Sequence, residues 1–270
     1  MKKILIPFRD HTLAAFTNNL SGKQPILLVH GNSMSSKIWE KQFEGELGQK
    51  HFLISYDLPG HGDSSKFKTY DITTFANSIS AVLNYFSLKD YIIAGNSLGG
   101  DLILQEYSNL EDCKGIVLVS CPPIKNPPNS EMIYLPSPSF PMYFTADYNE
   151  SELPLFASEM FYGKDVPSFV TSDYINNDAN ARQSIGAIIA DLKYADEVAI
   201  IEKIQIPVAI LSGKEERLVN NSYFASLSVP NLWSGMVHLI PDSGHCPQWE
   251  NPDAFDKLLE RFAKDAVMKT

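Results

Sequence analysis

Eight stretches of the chain are rich in apolar residues and bounded by turn formers. Two of them, KKILIPF and HTLAAFT, flank Arg9 and Asp10 and predict an antiparallel hairpin. PILLVHGN is continuously apolar, as a strand must be when both faces of a parallel sheet are covered. HFLISYDLPG, YIIAGNS, GIVLVSC, PVAILSG and MVHLIPDSG read the same way. Between them the apolar period lengthens to that of a helix: Phe75, Ile79, Val82, Leu83 and Phe86 share one face, as do Phe255, Leu258, Leu259 and Phe262. Strands alternating with helices imply right-handed crossovers and a mostly parallel eight-stranded sheet of the α/β class. In such sheets ligands bind at the carboxyl ends of the strands.

One interval breaks the alternation. From Pro122 to about Lys203 no strand pattern occurs, and nine of the 17 prolines fall between Pro122 and Pro167, interleaved with aromatic residues. This predicts a cap of loops and short helices inserted after the sixth strand, with DANARQSIGAIIADL as its clearest helix. The expected organisation is therefore a core from residues 1–121 and 204–270 with a cap over 122–203. An aromatic cap over strand ends would wall a pocket for an apolar ligand and limit entry of water. Phe140, Tyr143, Phe156 and Tyr162 are its candidate substrate contacts.

Composition narrows the partners. With 32 acidic against 22 basic residues the formal charge is −10, and the basic residues are scattered, which disfavours nucleic acid. No apolar run is long enough to span a bilayer, and MKKILIPFRDH is too short in apolar length for a secretory leader. Cys113, Cys121 and Cys246 are odd in number and form no CxxC pair, so neither a disulfide framework nor a zinc site is implied, and a reduced, cytoplasmic setting is expected. The sequence contains no HxH or HExxH spacing, and no metal or cofactor is implied.

The chemistry concentrates around AGNSLGG, residues 94–100. GNSLG fits G-x-S-x-G and stands between a strand-like run, DYIIA, and a helical one, GDLILQEYSNL. That context turns a weak motif into a nucleophile elbow, with Ser97 lifted clear of the sheet at a helix N-terminus. A serine hydroxyl needs a base. His245, in the loop between the last strand and the last helix, is the best placed of six histidines. His30 and His61 read as turn supports, His238 as a strand position, and His11 and His51 as surface. The base in turn needs a carboxylate, for which KEERLV offers Glu215 and Glu216 after the seventh run. The oxyanion donors should be the N–H of Leu98 and one from the loop after LLVHG, with Asn32 first and Ser33 second.

Taken together, HGNS, DLPGHGDSS, GNSLGG, IPVAILSGKEERLV and DSGHCPQWENPDAF resemble the α/β-hydrolase superfamily across nearly the whole chain. Many members carry G-x-x-D after the seventh strand, and counting from Gly213 puts Glu216 at that position. More narrowly, HGNSMSS, YDLPGHGDSS, SCPP, NLWSG followed by VHLIPDSGH, and the Glu at the acid position resemble the serine-dependent N-acyl homoserine lactone lactonases, which open a quorum-sensing lactone without metal. That likeness implies Ser97, Glu216 and His245 as triad, Asn32 and Leu98 as oxyanion hole, and a small apolar acyl ester or lactone as substrate. Asn96 stands where many relatives carry His or an aromatic, and is taken as a further substrate contact. The same machinery would serve a carboxylesterase, a thioesterase or a carbon–carbon bond hydrolase, and related scaffolds also act as small-molecule receptors.

Overall fold

The computed structural model describes residues 1–163 and 166–268. Its strands are β1 (Lys2–Phe8), β2 (His11–Thr17), β3 (Pro25–Val29), β4 (Phe52–Tyr56), β5 (Tyr91–Asn96), β6 (Cys113–Val119), β7 (Val208–Gly213) and β8 (His238–Ile240). They form one sheet in the order β1-β2-β4-β3-β5-β6-β7-β8. The N-terminal hairpin is antiparallel, β2 joins β4 antiparallel, and every later pair is parallel. The helices ahead of β6 are α1 (Glu40–Glu44), α2 (Glu46–Lys50), α3 (Ile72–Phe86) and α4 (Leu98–Glu106). Those between β6 and β7 are α5 (Ser130–Ile133), α6 (Leu153–Met160), α7 (Phe169–Asn176), α8 (Ala179–Ala190) and α9 (Glu197–Ile201), and α10 (Pro247–Glu250) and α11 (Pro252–Met268) end the chain.

Alternation along β3 sorts the interior into two cores. Leu27 and Val29 face a cluster with Phe75, Ile79, Val82 and Leu102, whereas Ile26 and Leu28 face Trp39, Phe255, Leu259 and Phe262. The periodic helices are held at their ends as well as along their faces. Asp71 caps α3 by accepting from the Thr74 N–H, and Ser87 closes it in a left-handed conformation.

The last strand is shorter than its sequence run. MVHLIPDSG yields only His238–Ile240, because Ser234 and Gly235 adopt positive φ just ahead of it and Pro241 follows. As an edge strand paired only with β7, it leaves Leu239 exposed. PILLVHGN likewise stops pairing at Val29, which frees His30 to Asn32 to turn over the sheet end.

Among the described residues, the interval between β6 and β7 contains short helices and loops, with a single bridge from Tyr134 to Val219. Its longest helix is α8, capped by Asp178. The segment is bonded to the loops beneath it: Ser35 Oγ and Lys37 Nζ donate to Asp173 at 2.5 and 3.0 Å, and Asn177 Nδ2 donates to the Met34 carbonyl. Its final helix, α9, instead joins α4, where Gln105 Nε2 donates to Glu197 at 2.9 Å. Among the described residues no helix is long and apolar enough to cross a membrane.

Candidate active site

The strand β5 leads straight into Ser97, whose φ of 50° and ψ of −124° lie outside the regions ordinary residues occupy. Such a conformation costs about 1–3 kcal/mol and persists only where its surroundings determine it. Here the Ser97 N–H donates to the Val119 carbonyl at 2.9 Å, and its own carbonyl accepts from Gly100 at 2.7 Å. The flanking glycines are required by close approach. A Cβ on Gly95 would lie 2.4 Å from the backbone of Gly99, and one on Gly99 would lie 2.4 Å from the Val29 carbonyl oxygen. The helix can therefore start directly against the sheet, with Ser97 at its N-cap.

His245 Nδ1 lies 2.9 Å from Glu216 Oε2, with both side chains buried. Glu216 is held by its other oxygen, which accepts from the N–H groups of Arg217 and Leu218. Burial pushes this carboxyl up, but the charge and hydrogen bond of His245 and the backbone donors outweigh it and leave it below the usual glutamate range. It is thus an anion facing the imidazole. Glu215, the neighbouring acid, turns away and accepts from the Ser243 N–H. With Nδ1 engaged, Nε2 of His245 is the nitrogen available for proton transfer.

Ser97 and His245 line one pocket, together with Asn32, Leu98, Asp101, Phe140 and Tyr143 among others. The loop that carries Asn32 is braced by two buried histidines. His30 Nε2 accepts from the Leu58 N–H at 2.9 Å and His61 Nε2 from the Ser33 N–H at 3.3 Å, while each Nδ1 donates to a backbone carbonyl. Burial holds both rings neutral, lowering His30 to about 4 and His61 to about 3. Because the Ser33 N–H is directed at His61, Asn32 is the loop residue left to face the cavity. Its side chain donates to the Tyr143 carbonyl at 2.6 Å, tying the loop to the segment above.

Three expected substrate contacts lie elsewhere. Asn96 is fully buried and donates to the carbonyls of Val119 and His245, both at 3.1 Å, so it joins the elbow to the histidine loop and lines no part of the cavity. Phe156 sits behind the wall, its ring 4.8 Å from Tyr143 and 4.7 Å from Tyr174. Tyr162 is 43% exposed and packs on the Arg217 guanidinium on the outer side. Periodicity could not separate these from Phe140 and Tyr143, because the short, proline-rich elements have no regular face.

Two further acids, Glu250 and Asp101, hold structure around the site. Glu250 accepts from the N–H groups of Tyr162, Gly163 and Gly244, which fastens the histidine loop to the segment over it. Asp101 lines the cavity. Its spacing of four residues from Ser97 on a helix was the available signal.

The sequence pattern of the Alpha/beta hydrolase family matches residues 26–258, and the chain belongs to that family. It is a hydrolase. It is 24% identical over 270 residues to the AB hydrolase superfamily protein YisY of Bacillus subtilis (strain 168), covering 94% of this chain and 97% of that one. It is 23% identical to the bifunctional esterase/perhydrolase DCH of Acinetobacter calcoaceticus, covering 88% and 91%. Among solved structures, a complex of the N-acyl homoserine lactonase AidH with N-hexanoyl homoserine lactone superposes with a TM-score of 0.93 at 24% identity, covering 99% of both chains. At that identity the likeness establishes the shared fold.

Proposed function

We propose that the protein hydrolyses ester-type bonds through an acyl-enzyme on Ser97, and that its substrate is a lactone bearing an acyl side chain, of the N-acyl homoserine lactone kind. The observation that carries this reading is the convergence of a strained elbow serine and a Glu216-bonded histidine on one largely apolar cavity. The full-length structural likeness to AidH supports the choice of lactone.

Ser97 Oγ attacks the carbonyl carbon as its proton passes to His245 Nε2. Glu216 holds the ring in the tautomer that leaves Nε2 unprotonated and then faces the imidazolium. The tetrahedral oxyanion is received by the Leu98 and Asn32 N–H groups, the first at the N-terminus of α4 where the helix dipole adds positive potential. His245 returns the proton to the departing oxygen, and a water activated by the same nitrogen releases the acid. In a lactone the departing hydroxyl remains tethered to the acyl group, so reclosure competes with water until that arm leaves the site.

The test is kcat/KM across acyl homoserine lactones of increasing chain length beside p-nitrophenyl esters. Preference for the lactones supports the reading; ester turnover with no lactone preference would make the protein a general carboxylesterase. Single-turnover cleavage with a large ligand-induced change over the site would instead make it a receptor. Ser97→Ala should lower kcat by at least about a thousandfold. Near wild-type turnover in that variant ends the proposal for the nucleophile.

A further inference from the structure

The cavity wall around Ser97 is mostly apolar and aromatic, and one carboxyl interrupts it. Asp101 lies one helical turn beyond Ser97 on α4, and residues four apart share a helix face, so the acid opens onto the same space as the nucleophile. No lysine or arginine is among the described residues that line this cavity.

Behind the wall, Asp101 hydrogen-bonds Glu197 of α9 and accepts the Cys121 thiol at 3.1 Å. Glu197 is 1% exposed and accepts from the Ile124 N–H at 3.0 Å and from Gln105 Nε2 at 2.9 Å. Burial pushes both carboxyls up, Asp101 to about 6, and the charge of Asp101 drives Glu197 higher still. Two carboxyls in hydrogen-bonding contact, Glu197 fully buried and Asp101 at the cavity edge, hold one proton between them at neutral pH, since burial and the charge of Asp101 keep Glu197 protonated. The pair therefore keeps a single negative charge, with no lysine or arginine among the described lining residues to balance it and His245 as the titratable base that faces it.

Resting on the ester-hydrolase reading, we infer that the Asp101–Glu197 pair is a charge filter that sets the substrate class. The cavity takes acyl groups that are neutral, cationic or equipped with a hydrogen-bond donor, and it rejects acyl chains that carry a carboxylate. A carboxylate entering here loses its water and meets a like charge, while an amide N–H or a cation meets an acceptor. A purely structural pair joining α4 to α9 would not discriminate by the sign of substrate charge.

The experiment uses three p-nitrophenyl esters of matched acyl length, ending in methyl, carboxylate or trimethylammonium. Their affinities for Ser97→Ala protein are measured by calorimetry at pH 7.5, where cleavage does not intrude. Both charged chains lose hydration, so the difference between them reads the charge of the wall. The filter predicts that the cationic ester binds at least about tenfold tighter than the anionic one, and that Asp101→Asn with Glu197→Gln in the same background closes that gap. Equal affinity for the two charged esters, or a gap that survives in the folded double variant, overturns the filter. Failure of the wild-type enzyme to turn over any of the three would overturn the ester-hydrolase reading separately.

Discussion

At the scale of single residues, the acid facing His245 is where the chain departs from the aspartate common at this position. The additional methylene of Glu216 is accommodated because one oxygen is fixed by the N–H groups of Arg217 and Leu218 while the other reaches His245. Glu216→Gln retains the shape but removes the anion and offers an amide that can present the wrong hydrogen-bonding edge. We expect kcat to fall by roughly a hundredfold to ten-thousandfold with KM little changed, measured by steady-state kinetics on a p-nitrophenyl ester. A variant with ordinary kcat would remove Glu216 from the triad. Asn96 shows the opposite relation between position and role. It adjoins Ser97 in sequence, yet its side chain is used to bond the His245 carbonyl from below.

At the scale of elements, helix α4 approaches strands β3 and β5 so closely that side chains are excluded at their junction. Gly99→Ala would place a methyl 2.4 Å from the Val29 carbonyl oxygen, a backbone atom that cannot rotate away. Overpacking of this kind costs about 1–3 kcal/mol. The variant should therefore unfold at a lower urea midpoint and, because α4 must shift, also lose activity; an unchanged midpoint would show that the junction has slack. Much of this element-level organisation was legible beforehand. The hairpin, the buried strand runs, the faces of α3 and α11 and the elbow context of Ser97 all follow from local periodicity and turn chemistry. The short β8 was not, since its ends are set by the positive φ of Ser234 and Gly235 and by pairing on one side only.

At the scale of the whole molecule, burying two neutral histidines under the loop that carries Asn32 makes stability depend on pH. The folded values of His30 and His61, about 4 and about 3, lie below the ordinary 6.5, so the folded state refuses protons that the unfolded chain accepts. The stability they contribute is fully present above pH 6.5 and is lost as pH falls from there toward those values. Asp256, raised by burial to about 7, acts in the opposite sense over part of that range, so the comparison must be made between proteins. Between pH 7 and pH 5, the unfolding free energy of His61→Gln should fall by about 2 kcal/mol less than that of the wild type. Parallel curves from urea melts would show that His61 is free to protonate in the fold.

The sequence by itself determined the class of the fold and the strand order along the chain, and it placed the elbow motif and the types of residue proposed to act with it. These rest on local chemistry: side-chain period, turn residues, and the requirement of a serine for a base and of that base for an acid. It could not by itself divide the aromatic residues over the strand ends into those that wall the cavity and those behind it. Only the tertiary structure decided that Phe140 and Tyr143 face the cavity while Phe156 stands behind it and Tyr162 lies outside. The same holds for Asp101 and Glu197, far apart in the chain, whose shared proton depends on α9 returning to α4. Contacts of that kind depend on how elements pack, and irregular segments carry no period from which their packing could be read.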